Sequence, residues 1–235
     1  MKILAMDTSS FPASVSVAED GVILGEYVLR DRRKHSQNIM VMTERLMSDL
    51  GMDVADMDLF AVTTGPGSFT GLRIGISTIR TLAQAVAKPV AAVNTLEALA
   101  YNLSEFDEIV VPMLDARRDE VFCGAYRFCD GIICEVTKPC VMSVSAICEE
   151  FKDEKVIFTG DGVLIHGDEL RKYDNFSIAP LNMRETRSSS LICAALCKEK
   201  NNELKQYNEV LPVYLRKSQA EQEYERRMAN DSNRQ

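Results

Sequence analysis

A buried strand ending in aspartate, a turn, a second strand, an Asp-Gly turn and a third strand occur twice in this chain, about a hundred residues apart. In the first pass, residues 3–6 end at Asp7, residues 13–18 turn Val15 and Val17 inward, and Asp20-Gly21 makes a hairpin into residues 22–29. In the second, residues 109–114 end at Asp115, residues 120–128 alternate, and Asp130-Gly131 turns into residues 132–136. A unit repeated at that distance predicts two duplicated lobes of mixed strands and helices. The expected division is an N-terminal lobe over 1–106, a reduced C-terminal lobe over 107–216, and a polar segment over 217–235. That last segment is almost all polar or charged and is expected to be a solvated helix or a disordered tail.

Between a strand at 59–62 and a helix at 72–87 runs Thr63-Thr64-Gly65-Pro66-Gly67-Ser68-Phe69-Thr70-Gly71. Glycines here permit positive φ and close backbone approach, and a helix N-terminus behind them favours an anion or a carbonyl. The spacing G-x-G-x-x-x-G matches neither common phosphate fingerprint, and no Lys-Ser or Lys-Thr follows. Two readings stand: an anion site at Gly65, Gly67, Ser68 and Gly71, or a packing joint plugged by Phe69 and Leu72. Gly160-Asp161-Gly162 recurs after the strand at 156–159, at the same relative place. Asp7 and Asp115 are expected to face each other across the cleft between the lobes. They either hold a magnesium ion with nucleotide phosphates or orient turns through hydrogen bonds, and Thr8 and Ser9 add hydroxyls.

Other chemistries find few residues to carry them. The two histidines, His35 and His166, form no H-x-x-x-H or H-E-x-x-H pair, and nothing around Ser68 reads as G-x-S-x-G. Seven cysteines include no C-x-x-C; Cys123, Cys129, Cys134 and Cys140 fall on strands, and Cys193 and Cys197 lie one helical turn apart. Free thiols in a reducing compartment are the expectation, with no metal site. A net charge of −8 disfavours nucleic-acid binding by the chain alone. Asp7 comes too early for a signal peptide and no apolar run reaches membrane-span length, so a soluble cytoplasmic protein is expected.

The helix expected at 36–50 is apolar over more than one stripe: Ile39, Met42, Leu46 and Leu50 form one face, Met40 and Met47 a second. A helix covering a sheet needs one buried stripe, so the surplus points to a partner surface, the alternative being a helix sandwiched inside one large monomer. In the next helix Leu72, Ile76, Ile79, Ala83 and Val86 face the core, while Ser77, Thr78, Thr81 and Ala85 allow close helix approach. The expected interface is thus Ile39, Met40, Met42, Thr43, Leu46, Met47, Leu50, Ser77, Thr78, Thr81 and Ala85. The basic run at 30–34 is a solvated loop or a contact for an acidic partner or RNA. Further on, Thr95 is read as the cap of a helix to Leu103, with helices at about 145–150 and 188–198 and residues 210–216 closing the fold.

Met6-Asp7-Thr8-Ser9, the run from Thr64 to Arg73, Asp115-Ala116-Arg117, Gly160-Asp161-Gly162 and Pro212-Val213-Tyr214-Leu215-Arg216 together resemble the TsaB (YeaZ) family, from Met1 to about Arg216. The resemblance implies a two-lobed actin/Hsp70/sugar-kinase-like α/β fold with duplicated RNase H-like units. It implies a non-catalytic subunit in forming threonylcarbamoyladenosine beside the anticodon of tRNA. The implied partners are TsaD, a metal-holding homologue that performs the transfer, and the ATPase TsaE. Alone, the chain is expected to homodimerise through its first two helices; tRNA is met only through the complex. ATP or ADP is expected only within that complex, and Asp7, Thr8, Ser9, Gly65, Gly67, Ser68, Gly71, Asp115, Gly160, Asp161 and Gly162 are candidates for a vestigial nucleotide or anion site. The alternatives are a stand-alone ATPase or small-molecule kinase of the same superfamily, and a zinc peptidase, which needs stoichiometric metal.

Overall fold

The computed structural model describes residues 1–30, 35–129 and 131–216, the side chains of 35–37 excepted. Residues 31–34 of the basic run, the His35 side chain, Asp130 and the segment 217–235 lie outside the described residues.

Five strands form the first sheet: β1 (Lys2–Asp7), β2 (Ala13–Glu19), β3 (Val22–Leu29), β4 (Leu59–Gly65) and β5 (Val90–Asn94), in the order β3-β2-β1-β4-β5. The second sheet contains β6 (Ile109–Asp115), β7 (Glu120–Cys129), β8 (Ile132–Ser143), β9 (Val156–Thr159) and β10 (Phe176–Ile178), in the order β10-β9-β6-β7-β8. Sheet for sheet the order is the same. In each, the first strand runs antiparallel to the second and parallel to the fourth. The helices are α1 (His35–Leu50), α2 (Phe69–Ala85), α3 (Thr95–Ala100), α4 (Val144–Phe151), α5 (Gly162–Leu170) and α6 (Ser188–Lys200). Each half therefore reads βββαβαβα, and the fold is the two-lobed actin/sugar-kinase-like α/β class.

The second half is reduced through its helices. Helix α4 has 8 residues against 16 in α1, and α5 has 9 against 17 in α2. Helices α1 and α2 cover one face of the first sheet, around Phe60, Val62, Ile39 and Ile79. The other face is covered by α6, a helix of the second half, through Leu191, Ile192, Ala194 and Ala195. In exchange α3 packs Leu96, Leu99 and Ala100 with Val110 and Tyr126 of the second sheet. The third helices are thus swapped between the halves, and β1 and β2 are covered on both faces. That is why Ser14 and Ser16 are as buried as Val15 and Val17. Ser14 Oγ accepts from the Ser188 N–H (2.9 Å), while Glu26 Oε1 accepts from the Ser189 N–H (2.9 Å), together satisfying the start of α6.

Several boundaries differ from the sequence reading. Helix α2 starts at Phe69, three residues early, because the Ser68 hydroxyl accepts from the Gly71 N–H. Asn94, not Thr95, caps α3 by accepting from the Leu96 N–H at 2.8 Å. Strand β8 continues to Ser143 through Pro139, which an edge strand tolerates. Helix α5 and strand β10 have no counterpart in the sequence reading. Leu164 and Ile165 in α5 point to solvent and break the helical apolar period, and β10 is three residues long. Helix α1 ends where expected: the Gly51 N–H reaches Ser48 O and the Met52 N–H reaches Met47 O, with Gly51 at φ +63°.

Candidate functional site

The loop after β1, the loop after β4 and the segment 213–216 meet at the C-terminal ends of the first sheet's central strands. Their junction floors a cleft of about 520 Å³ between the two halves. Two of the backbone donors an anion would need, the Ser68 and Gly71 N–H groups, are used within the junction. The Ser68 N–H goes to Ser9 O (2.6 Å), the Gly71 N–H to Ser68 Oγ (3.2 Å), and Thr8 Oγ1 donates to Gly71 O (2.7 Å). A Cβ on Gly71 would stand 2.0 Å from Thr8 O, and one on Gly67 2.2 Å from Ser9 O. Gly65, at φ +124°, lies against Val213 O, and the Val213 N–H in turn reaches Thr64 O at 2.7 Å. Of the two readings of this run, the packing joint describes what these glycines do. The plug differs in part: Leu72 is fully buried, but Phe69 is exposed and stacks on Tyr214.

Asp7 is wholly buried beneath the joint. Its Oδ1 accepts from the Ser9 N–H (3.1 Å), Ser9 Oγ (2.6 Å) and Thr63 Oγ1 (2.5 Å), while Oδ2 has no partner among the described residues. Burial pushes its carboxyl above the usual carboxylate range, against the pull of the Ser9 and Thr63 donors. Asp7 thus orients the 8–10 turn. Asp115 is exposed and its Oδ1 accepts from the Arg117 N–H (2.7 Å), holding the turn at Arg117, Arg118 and Asp119, all three at positive φ. Asp161 Oδ1 accepts from the Asp115 N–H (2.9 Å). The second half repeats the joint: Gly160, at φ +102°, abuts Met113 O, and Gly162 lies beside the same residue. Asp7 is not among the residues lining the cleft, whereas Asp115 and Asp161 are.

The expected interface residues divide. Ile39, Met42, Thr43, Leu46 and Met47 are buried in the chain's own core, and Leu50 is half-buried against it. Met40 and its neighbour Val41 are exposed. On α2, Thr78 is half-buried while Phe69, Arg73, Ser77, Thr81 and Ala85 are exposed at every fourth position, one continuous ridge. The apolar surplus of α1 is therefore mostly core, because α1 lies in the groove between the sheet and α2 and buries two stripes. What it leaves outward is narrower than the sequence implied.

A family model described as "TsaD: tRNA N6-adenosine threonylcarbamoyltransferase" matches residues 22–224. The TsaB protein of Bacillus subtilis is 32% identical over 225 residues, covering 94% of this chain and 96% of that protein. The chain belongs to the TsaB (YeaZ) family. TsaB of Escherichia coli is 34% identical over 129 residues, about half of each chain. The solved structure of YeaZ from Pseudomonas aeruginosa superposes with a TM-score of 0.81 at 27% identity, covering 91% of this chain and 99% of that one. The ethanolamine utilization protein EutJ of Carboxydothermus hydrogenoformans (TM-score 0.52, 11% identity) shares the fold alone.

Within this TsaB-family chain, the sequence reading missed the part played by residues 213–216. They line the cleft, stack Tyr214 on Phe69 (centroids 4.8 Å apart), and carry Arg216 across to Ala116 O (2.5 Å) and Glu120. A signal was present. The Gly65 position calls for a close backbone approach, and the 212–216 motif ends in a basic residue. No helix of the described residues is long and apolar enough to cross a membrane, and no group of three or more His, Cys, Asp or Glu is arranged to hold a metal ion there.

Proposed function

We propose that this chain is a non-catalytic subunit of the assembly that forms N6-threonylcarbamoyladenosine in tRNA. The likeness to B. subtilis TsaB over 94% of the chain carries this reading, since that protein is named for threonylcarbamoyladenosine biosynthesis. The site chemistry supports the non-catalytic part. The Ser68 and Gly71 N–H groups are bonded within the joint, Thr8 and Ser9 are buried, and Asp7 has its charged form disfavoured by burial. A nucleotide at this place finds those two donors already used. ATP or ADP then belongs to the assembly and not to the isolated chain.

In this reading the chain pairs with a TsaD transferase across Met40, Val41 and the exposed ridge of α2. TsaE joins the pair, and tRNA is bound through the complex. A homodimer over the same ridge forms when the partner is missing. The rate gain comes from holding the transferase in its productive arrangement, with no residue of this chain touching the reacting atoms. The test is reconstitution with TsaD, TsaE, the donor-forming enzyme, ATP, threonine, bicarbonate and tRNA, with and without this chain. Modification that collapses on omission, and none when the chain replaces TsaD, is the expected result. Equal modification without the chain, or ATP hydrolysis by the chain alone that Asp7→Ala abolishes, overturns it.

A further inference from the structure

Cys123 on β7 and Cys140 on β8 are register partners across an antiparallel pair, with their sulfur atoms 3.9 Å apart. Among the described residues no other two cysteines face each other in this way. Directly opposed residues in such a pair have Cα separations of about 4.5 or about 5.5 Å, both within the range a disulfide spans. Closing the remaining gap needs little more than side-chain rotation. The register slips between Cys123 and Ala125, so that Lys138 and Pro139 oppose Gly124 alone. A bulge beside the pair, on an edge strand with no ladder on its far side, lets β8 adjust locally.

We propose that Cys123 and Cys140 form a modification site, a reversible disulfide produced by hydrogen peroxide that staples edge strand β8 to β7. The two thiols have different access. Cys140 is half-buried and meets the oxidant; Cys123 is buried beneath α4 beside Val144 and Ile147. Burial, and then the neighbouring Cys140, push the Cys123 thiol up, so it does not start the reaction. The Cys140 thiolate attacks one peroxide oxygen, the O–O bond breaks, and a sulfenic acid and hydroxide result. Cys123 sulfur then attacks Cys140 sulfur, the S–O bond breaks, and water leaves with the Cys123 proton. Two thiols and one peroxide give one disulfide and two waters.

The bridge joins residues 17 positions apart and restrains the edge that leads into α4. Thr137 Oγ1 already donates to Glu150 Oε1 of α4 at 2.8 Å, and Ser143 caps that helix. Pinning β8 therefore stiffens the sheet edge and its helix together, and limits the strands a denatured chain can separate.

The reduced full chain is treated with hydrogen peroxide, then alkylated, digested and mapped by mass spectrometry, with parallel thermal melts. The expected product has lost two hydrogens, links the Cys123 and Cys140 peptides, melts several degrees higher than the reduced chain, and reverts with dithiothreitol. Cys140→Ser and Cys123→Ala abolish the link and the shift, while Cys129→Ser keeps both. Any failure of Cys123→Ala to fold shows in its melt, and the half-buried Cys140→Ser then carries the test alone. Bridges mainly through Cys129, Cys134 or Cys193, disulfide-linked dimers, or Cys140 oxidised to sulfinic acid with Cys123 still free would each overturn the assignment.

Discussion

Asp7 accepts three donors on one carboxylate oxygen and, among the described residues, none on the other, in a fully buried site. Burial raises its folded-state pKa above the unfolded value, so folding favours the protonated form. Its contribution to stability is full below the unfolded pKa and is lost as pH rises through the raised folded value. Asn cannot ionise. The melting temperature of Asp7→Asn minus that of the wild type is therefore expected to grow more positive from about pH 4 to about pH 8. A flat difference in parallel melts would show that Asp7 is charged in the fold. Gly71 tests the joint from its other side. Its φ is ordinary, so Gly71→Ala adds only a methyl group, placed 2.0 Å from Thr8 O. The contact is with Thr8 backbone and a methyl group has no rotamer to relieve it, so a loss of about 2–3 kcal/mol in denaturant melts is expected. Gly51→Ala is the contrast: no atom lies within 4 Å there, and a cost near ~1 kcal/mol from the left-handed conformation is expected.

At the scale of elements, α1 separates two kinds of apolar residue that the sequence presents alike. Leu46 is 2% exposed and packs with Met42 and Ile79, whereas Met40 is 46% exposed. Leu46→Glu puts an unpaired carboxylate in the core and is expected to cost about 4 kcal/mol, read as a collapsed melt. Met40→Glu is expected to stay within about 0.5 kcal/mol of the wild-type stability. In titration calorimetry against the transferase subunit, the same change is expected to weaken pairing about tenfold or more. Unchanged pairing in Met40→Glu would move the partner surface off α1. The strands other than β10 and the hairpin at Asp20-Gly21 were legible because their signals are local: alternation, the Asp-Gly turn and Gly51 lie within a few residues of what they determine. Their duplication was legible for the same reason. The destination of α6 was not, since its small-residue face of Ala194 and Ala195 fits many sheets and only long-range packing selects the first. The joint was half legible. Glycine spacing announces a close approach, but which backbone approaches, here Thr8, Ser9 and Val213, depends on segments up to about 150 residues away.

Over the whole molecule, two devices prevent the halves from behaving as independent domains. One is the exchange of α3 and α6, joined to each other by a partly desolvated ion pair between Glu97 and Lys198 (3.6 Å). The other is the segment 213–216, which begins on the end of β4 and finishes on the turn between β6 and β7. Tyr214 anchors it on the first half through Phe69 and through the Arg73 Nε–H, which reaches the Tyr214 hydroxyl at 3.1 Å. Arg216 anchors it on the second half, donating to Ala116 O and pairing with Glu120. The bonded turn is itself in left-handed backbone at Arg117, Arg118 and Asp119, a conformation that persists only when its surroundings hold it. Removing the guanidinium takes away the restraint that comes from the other half. Arg216→Ala is expected to lower stability by about 1–2 kcal/mol. More tellingly, it should speed hydrogen exchange at Ala116 and Glu120, whose amides bond Glu120 O and Arg117 O, while β1 and β4 amides keep their protection. Uniform acceleration across both sheets would instead make the segment a general stabiliser, and unchanged exchange at 116–120 would leave Arg216 without a part in holding the cleft.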